Sequence, residues 1–250
     1  EYFTVQNLDQ RVPREAWPHQ PLRAGDQTRR IMDLFDAHGI KATFFVLGWV
    51  AERHPGLARE IHSRCHEVAA HSYWHRLVFD MTPQEFRADL LRVKRLLEDE
   101  IGAPVVGYRA PTYSVTRASL WAHDILAEEG FRYHMDDFSR DLPFFDASVT
   151  PRMVVLPYAL DSNDMKMWNA PAFMPRDWLA YCKDSFDWLH AEALQQGPRM
   201  MSVGVHLRII GRPGRIGAYE EFLRYAAATR HVWIATRREI AEHFARVAGG

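Results

Sequence analysis

Three histidines and one arginine carry the chemistry this chain can do. His71 and His75 lie four residues apart in His71-Ser72-Tyr73-Trp74-His75, and His206 closes the apolar run from Met200 to Val205. Imidazoles at that spacing, on one helical turn or a tight loop, point the same way. As neutral nitrogen donors they suit zinc and similar first-row ions. In a chain with 13 histidines, surface or capping residues are the alternative. His206 suits a general acid, or a histidine satisfied within a strand end. Arg109 sits between an apolar strand and Pro111, at a rigid turn, where it can orient a carboxylate through two parallel hydrogen bonds; a plain surface arginine is the alternative. Tyr113 can donate to an oxyanion or simply pack. Asp136, Asp137, Asp141, Asp161 and Asp164 offer carboxylates, one or two of which can touch a site.

The surrounding sequence alternates short apolar strands with amphipathic helices. Strands are expected over 42–47, 66–70, 105–108, near 131–133 and 153–156, over 200–205 and over 232–235. Helices are expected over 50–63, with Pro55 awkward in its first turns, then from Thr82 to Ile101, over 116–129, 176–194, 216–228 and 238–247. Thr82-Pro83-Gln84-Glu85 is a capping box with proline at the first position, and Gly102 is a stop. Repeated strand-helix units predict a parallel sheet, and their number favours a barrel over an open sheet. Working residues of such barrels gather at the C-terminal strand ends, where His71, Arg109 and His206 all fall. The segment 135–175, poor in helix, reads as an active-site insertion or a small satellite layer.

A length of 250 residues with 47% hydrophobic content fits one domain over 1–250 with a sizeable core. A net charge of −1 without a basic block gives nucleic acid no footprint. The sequence has no apolar run long enough to span a membrane. The first residues lack the basic start and apolar centre of a secretion signal. Two cysteines, Cys65 and Cys182, are too few for a disulfide framework, so a reducing, cytoplasmic setting is expected. Some of the eight tryptophans and fourteen phenylalanines are expected to line a pocket.

Ala42-Thr43-Phe44-Phe45-Val46, His66-Glu67-Val68-Ala69-Ala70-His71-Ser72-Tyr73-Trp74-His75, Arg109-Ala110-Pro111-Thr112-Tyr113 and Val205-His206 resemble, in this order, four motifs of the polysaccharide deacetylase family. This carbohydrate-esterase group includes chitin and peptidoglycan deacetylases. The resemblance implies an α/β fold, a distorted (β/α) barrel, and metal-assisted N-deacetylation of an N-acetylated sugar or peptidoglycan-like substrate. It implies His71 and His75 as ligands of a divalent ion, zinc foremost, with Arg109 bracing the catalytic acid and His206 protonating the leaving amine. Trp74, Pro111 and Tyr113 take substrate-binding positions, Tyr113 partly through its backbone N–H. The family's first motif is aspartate-rich and supplies the catalytic base and a metal-binding carboxylate. Glu1-Tyr2-Phe3 resembles its tail, which makes Glu1 a catalytic remnant or the carboxylate ligand and puts the base and first strand upstream.

A narrower resemblance adds an alternative. Leu156-Pro157-Tyr158, Asn163-Asp164-Met165, the run from Met201 to His206 and Gly211-Arg212-Pro213-Gly214-Arg215 resemble the branch with allantoinase-type and cyclic-imide-hydrolysing members. That likeness implies a small cyclic amide or ureide substrate, a metal-free mechanism for some members, substrate contacts from Asn163, Asp164 and Arg215, and a homo-oligomer. A catalytically inactive barrel serving as a binding module is a second alternative. The expected partner is therefore a small molecule or a glycan, with no nucleic acid and no membrane.

Overall fold

The computed structural model describes residues 1, 3–4, 12–169 and 173–249, the side chains of 168 and 169 excepted. Tyr2 of the Glu1-Tyr2-Phe3 sequence lies outside them. In chain order the elements are α1 (Ala24–Ala37), β1 (Thr43–Val46), α2 (Gly48–Arg53), α3 (Leu57–Ser63), β2 (Glu67–Ala70), α4 (Pro83–Ile101), β3 (Gly107–Tyr108) and α5 (Trp121–Glu128). They continue with β4 (Tyr133–His134), β5 (Phe144–Asp146), β6 (Met153–Val155), α6 (Lys166–Asn169), α7 (Pro175–Gln196), α8 (Leu207–Ile210), α9 (Pro213–Ala228) and α10 (Arg237–Ala248).

Six strands form one sheet in the order β1-β2-β3-β4-β6-β5, parallel except that β5 runs antiparallel to β6. The register pairs Val46 with Ala70, Ala70 with Tyr108, Tyr108 with His134 and His134 with Val155. One row of residues thus ends five strands at a common rim, and His71 and Arg109 are the next residues beyond it. This is the mixed α/β arrangement of a distorted barrel.

Two expected strands are absent from the ladder. Segments 200–205 and 232–235 carry no strand pairing, and residues of both line the central cavity together with those of β1. Loop groups bond the backbone of 200–205 instead: Asp164 N–H donates to Gly204 O (3.1 Å), and Ser162 Oγ donates to Ser202 O. The apolar pattern is the same for a strand that pairs and one that does not, so it does not reveal the difference. The 135–175 segment is also not a separate layer, because β5 and β6 extend the main sheet.

The expected helix over 50–63 is two helices. Pro55 lacks the N–H a continuous helix needs and Gly56 turns at φ 88°, so α2 stops before α3 begins. The Thr82 box forms as predicted: Glu85 N–H donates to Thr82 Oγ1 (3.2 Å), Thr82 N–H donates to Glu85 Oε2 (2.8 Å), and Gly102 closes α4 at φ 67°. Phe86, Leu90, Val93 and Leu97 of α4 are fully buried against the sheet.

Gly107 shows why β3 needs a residue without a side chain. A Cβ there would lie 2.1 Å from the ring and hydroxyl of Tyr133, which crosses β3 to donate its O–H to Glu67 Oε1 (2.7 Å). Glu67 is buried, and burial raises its carboxyl pKa. Its oxygens also accept from Thr43 Oγ1 (2.7 Å) and Arg238 N–H (2.9 Å). Gly107→Ala is expected to destabilise the fold by about 1–3 kcal/mol through overpacking and loss of the Tyr133–Glu67 bond. Urea unfolding measures this, and an unchanged midpoint contradicts it.

Candidate active site

The His71–His75 loop is held from three sides. Gly48 N–H and Trp49 N–H, at the start of α2, donate to Ser72 O and Tyr73 O (both 3.1 Å). Asp89 of α4 accepts Tyr73 N–H (2.9 Å), and Tyr73 Oη donates to Glu52 Oε2 (2.5 Å). The loop is not a helical turn: Ser72 and His75 stand at φ 64° and 59°. Thr112 and Tyr113 of the arginine loop also have positive φ, so four of the six such non-glycine residues described lie on these two loops. Backbone strain concentrated in this way marks positions where side-chain aim outweighs local stability.

The two rings meet edge to face, centroids 5.2 Å apart. His71 Nδ1 lies 2.6 Å from Arg109 O; with the proton on Nδ1 it donates to that carbonyl and leaves Nε2 as a free lone pair. Burial, then the Arg109 guanidinium, holds the His71 imidazole well below the usual histidine range. Burial and the Arg208 cation push His75 down to about 3, and its buried Nδ1 has no hydrogen-bond partner. Both rings are therefore neutral nitrogen donors at neutral pH, the form a first-row metal ion requires.

His206 belongs to a second unit. Asp164, fully buried, takes His206 N–H at Oδ2 (2.8 Å) and lies 2.6 Å from His206 Nδ1 through Oδ1. Burial lowers the His206 pKa and the Asp164 charge opposes that shift. His71, His75, Arg109 and His206 all line one cavity of about 1030 Å³. The Arg109 guanidinium lies 4.5 Å over the Phe45 ring and 5.5 Å over the Tyr158 ring, with no carboxylate in ion-pair range among the described residues. Behind it, Asp136 Oδ1 accepts Ala110 N–H (2.6 Å), and burial raises the Asp136 carboxyl to about 6.

The remaining candidates are placed differently from expectation. Glu1 lines the cavity, but Glu1 Oε1 accepts the N–H groups of Arg23 and Ala24 (both 2.7 Å) at the start of α1 and lies 3.7 Å from His54 Nε2. The orphan donors of a helix start attract a carboxylate strongly. Among the described residues no third ligating side chain groups with His71 and His75. Asp164 acts through His206 rather than from the cavity wall. Asn163 Nδ2 donates to Tyr158 Oη (2.8 Å) and lies 3.5 Å from Tyr113 Oη, and the Tyr113 ring packs on Tyr158 (4.9 Å). Trp74 packs between Trp17 and Tyr73, Pro111 is buried, and Arg215 Nη1 lies 3.4 Å from Ile209 O. None of these five lines the cavity. Tyr158 and Arg208 do, and sequence reasoning gave them no role. Gly204 is a usable signal for Tyr158, since a Cβ there would sit 1.6 Å from its hydroxyl.

The family model for polysaccharide deacetylase matches residues 19–133, which hold the histidine pair and the arginine loop. A solved structure of a Pseudomonas aeruginosa PAO1 protein assigned to the polysaccharide deacetylases is 32% identical. It superposes at a TM-score of 0.80 over 88% of this chain and 73% of its own. The Puue allantoinase structure is 33% identical, with a TM-score of 0.80 over 88% of this chain and 72% of its own. The Helicobacter pylori peptidoglycan deacetylase is 23% identical over 250 residues, covering 86% of this chain and 82% of that protein. Metal dependence is a general trait of the deacetylases. A family match through both strained loops, joined to whole-domain likeness above 30%, is decisive: the chain belongs to the polysaccharide deacetylase family of hydrolases acting on non-peptide C–N bonds.

Proposed function

We propose that this protein hydrolyses the acetamide of an N-acetylated glycan, releasing acetate and a free amine. The observation that carries this is the opening of His71, His75, Arg109 and the Asp164-held His206 onto one cavity. A volume near 1030 Å³ is at the upper end of small-molecule sites and admits a sugar unit with its neighbours. The Helicobacter pylori relative, named a peptidoglycan deacetylase, supports a wall-type glycan.

His206 carries the proton in this scheme. Its ring rests neutral because it is buried, so Nε2 accepts the proton of the attacking water as oxygen bonds to the carbonyl carbon. Asp164 stabilises the imidazolium, which then protonates the nitrogen as the C–N bond breaks. Arg109 places a positive charge at the cavity wall, which favours negative charge building on the carbonyl oxygen. His71 and His75 would hold a divalent ion, zinc by donor chemistry; when bound it supplies Lewis-acid polarisation of the amide.

Hydrolysis of a small cyclic amide is the second reading, favoured by the 33% identity to an allantoinase. Incubation with N-acetyl chitooligosaccharides, peptidoglycan fragments, allantoin and cyclic imides separates the two. We expect acetate and new primary amine in equal amounts from a glycan. Ring opening without acetate release replaces this reading with the second, and inactivity on every substrate leaves the binding module.

A further inference from the structure

We propose that His123, His134 and Asp146 form a second cation site, structural in role, for a first-row divalent ion of the zinc type. The three residues come from three elements: His123 from α5, His134 from the end of β4 and Asp146 from the end of β5. Among the described residues they are the one grouping of three ligating side chains. None of them lines the cavity that holds His71 and His206.

The geometry suits an ion better than a closed hydrogen-bond set. His123 Nδ1 lies 3.1 Å and His134 Nε2 lies 3.6 Å from the same oxygen, Asp146 Oδ2. Metal–ligand bonds of about 2.0–2.1 Å in a tetrahedron put neighbouring donors about 3.3 Å apart. His134 is 1% exposed, and its Nε2 has no hydrogen-bond partner although it faces Asp146. Buried polar atoms left this way are rare in folded proteins. The other carboxylate oxygen, Asp146 Oδ1, is already taken by Ser148 N–H (2.9 Å) and Ser148 Oγ (2.5 Å), which fixes Oδ2 toward the histidines.

The two imidazole rings lie with centroids 4.0 Å apart and planes tilted by 32°, and burial pushes His123 down to about 4. Two imidazole nitrogens and one carboxylate oxygen are a donor set for zinc, cobalt or nickel rather than calcium or magnesium. An outer partner is also in place. Asp136 Oδ2, buried and without a hydrogen bond, lies 4.0 Å from His134 Nδ1. Asp136 N–H now approaches that nitrogen at 3.3 Å. On binding, Nδ1 takes the proton and turns it to Asp136 Oδ2, the carboxylate–histidine–metal arrangement. The ion would pin the edge strand β5 to α5 and to the loop whose Asp136 accepts Ala110 N–H beside Arg109.

The test uses the full chain carrying His71→Ala and His75→Ala, stripped with a chelator and titrated with zinc alone. We expect one bound equivalent by calorimetry, a rise in Tm of about 5 °C or more, and tetrahedral absorption bands when cobalt replaces zinc. Adding Asp146→Asn, which keeps the side-chain shape, should abolish the equivalent and the Tm rise. No binding by the double variant overturns the proposal, as does an equivalent that survives Asp146→Asn. The cobalt spectrum of the double variant alone decides the matter if the triple variant does not fold, because a non-tetrahedral or absent spectrum is then fatal. Loss of metal at His71 and His75 does not affect this result, which keeps it separate from the catalytic reading.

Discussion

His206→Ala is expected to lower kcat by about 10²–10⁴-fold with the fold intact. The backbone bond from His206 N–H to Asp164 Oδ2 does not involve the ring, so the loop stays in place when the ring is removed. The pH profile tests the role more sharply than the rate. Burial lowers the His206 pKa, so in the free protein the imidazole takes up a proton only below the usual histidine range. A neutral ring is the working form, so kcat/KM should hold at neutral pH and fall as pH drops through that lowered value. His75, pushed down to about 3, titrates later and should not set this limb. Asp164→Asn removes the charge that favours the imidazolium, which lowers the pKa further. The acid limb should then move to lower pH, and kcat should fall because the imidazolium is less stabilised. A limb unmoved by Asp164→Asn, or full activity in His206→Ala, assigns proton transfer to another group.

The sequence made legible what depends on local pattern. The Thr82–Glu85 box and Gly102 stop require only residues close in the chain, and α4 forms between them. The rim positions of His71 and Arg109 follow from short apolar strands ending immediately before them, and the common register confirms those ends. Nonlocal choices were hidden. Segment 200–205 has the apolar pattern of a strand, yet pairing needs a neighbour that periodicity does not supply. The strand β5 was hidden in a polar, proline-containing segment. Helix α1 carries the amphipathic positions Ile31, Met32 and Phe35 that window reasoning could have found. Glu1 resembled a catalytic remnant or a metal-binding carboxylate, but the helix start 22 residues on competes for its carboxylate. The Asp164–His206 pair spans 42 residues; the sequence resemblance singled out Asp164 as a substrate contact, and only the fold pairs it with His206.

His71→Ala and His75→Ala should each lose the catalytic-site metal and at least about 10² in kcat/KM. The magnitude follows from outer partners of metal-bound histidines, whose loss alone costs about 10–100-fold; a direct ligand should cost more. The two variants need not be equal. His71 is oriented by Arg109 O, so its ring is already fixed at the angle binding requires, whereas His75 Nδ1 has no partner to orient it. We therefore expect His71→Ala to be the more damaging. Metal content measured beside activity separates ligation from packing, since a packing defect lowers the rate without lowering the stoichiometry. Chelation of the unmodified protein gives no such separation, because it would also strip an ion from His123, His134 and Asp146. Chelation of Asp146→Asn removes that ambiguity: activity lost with the chelator and restored by zinc then reports on His71 and His75 alone. Ring-opening activity that persists in chelated Asp146→Asn, with no metal bound, would instead establish the cyclic-amide reading and leave the two imidazoles as hydrogen-bonding groups.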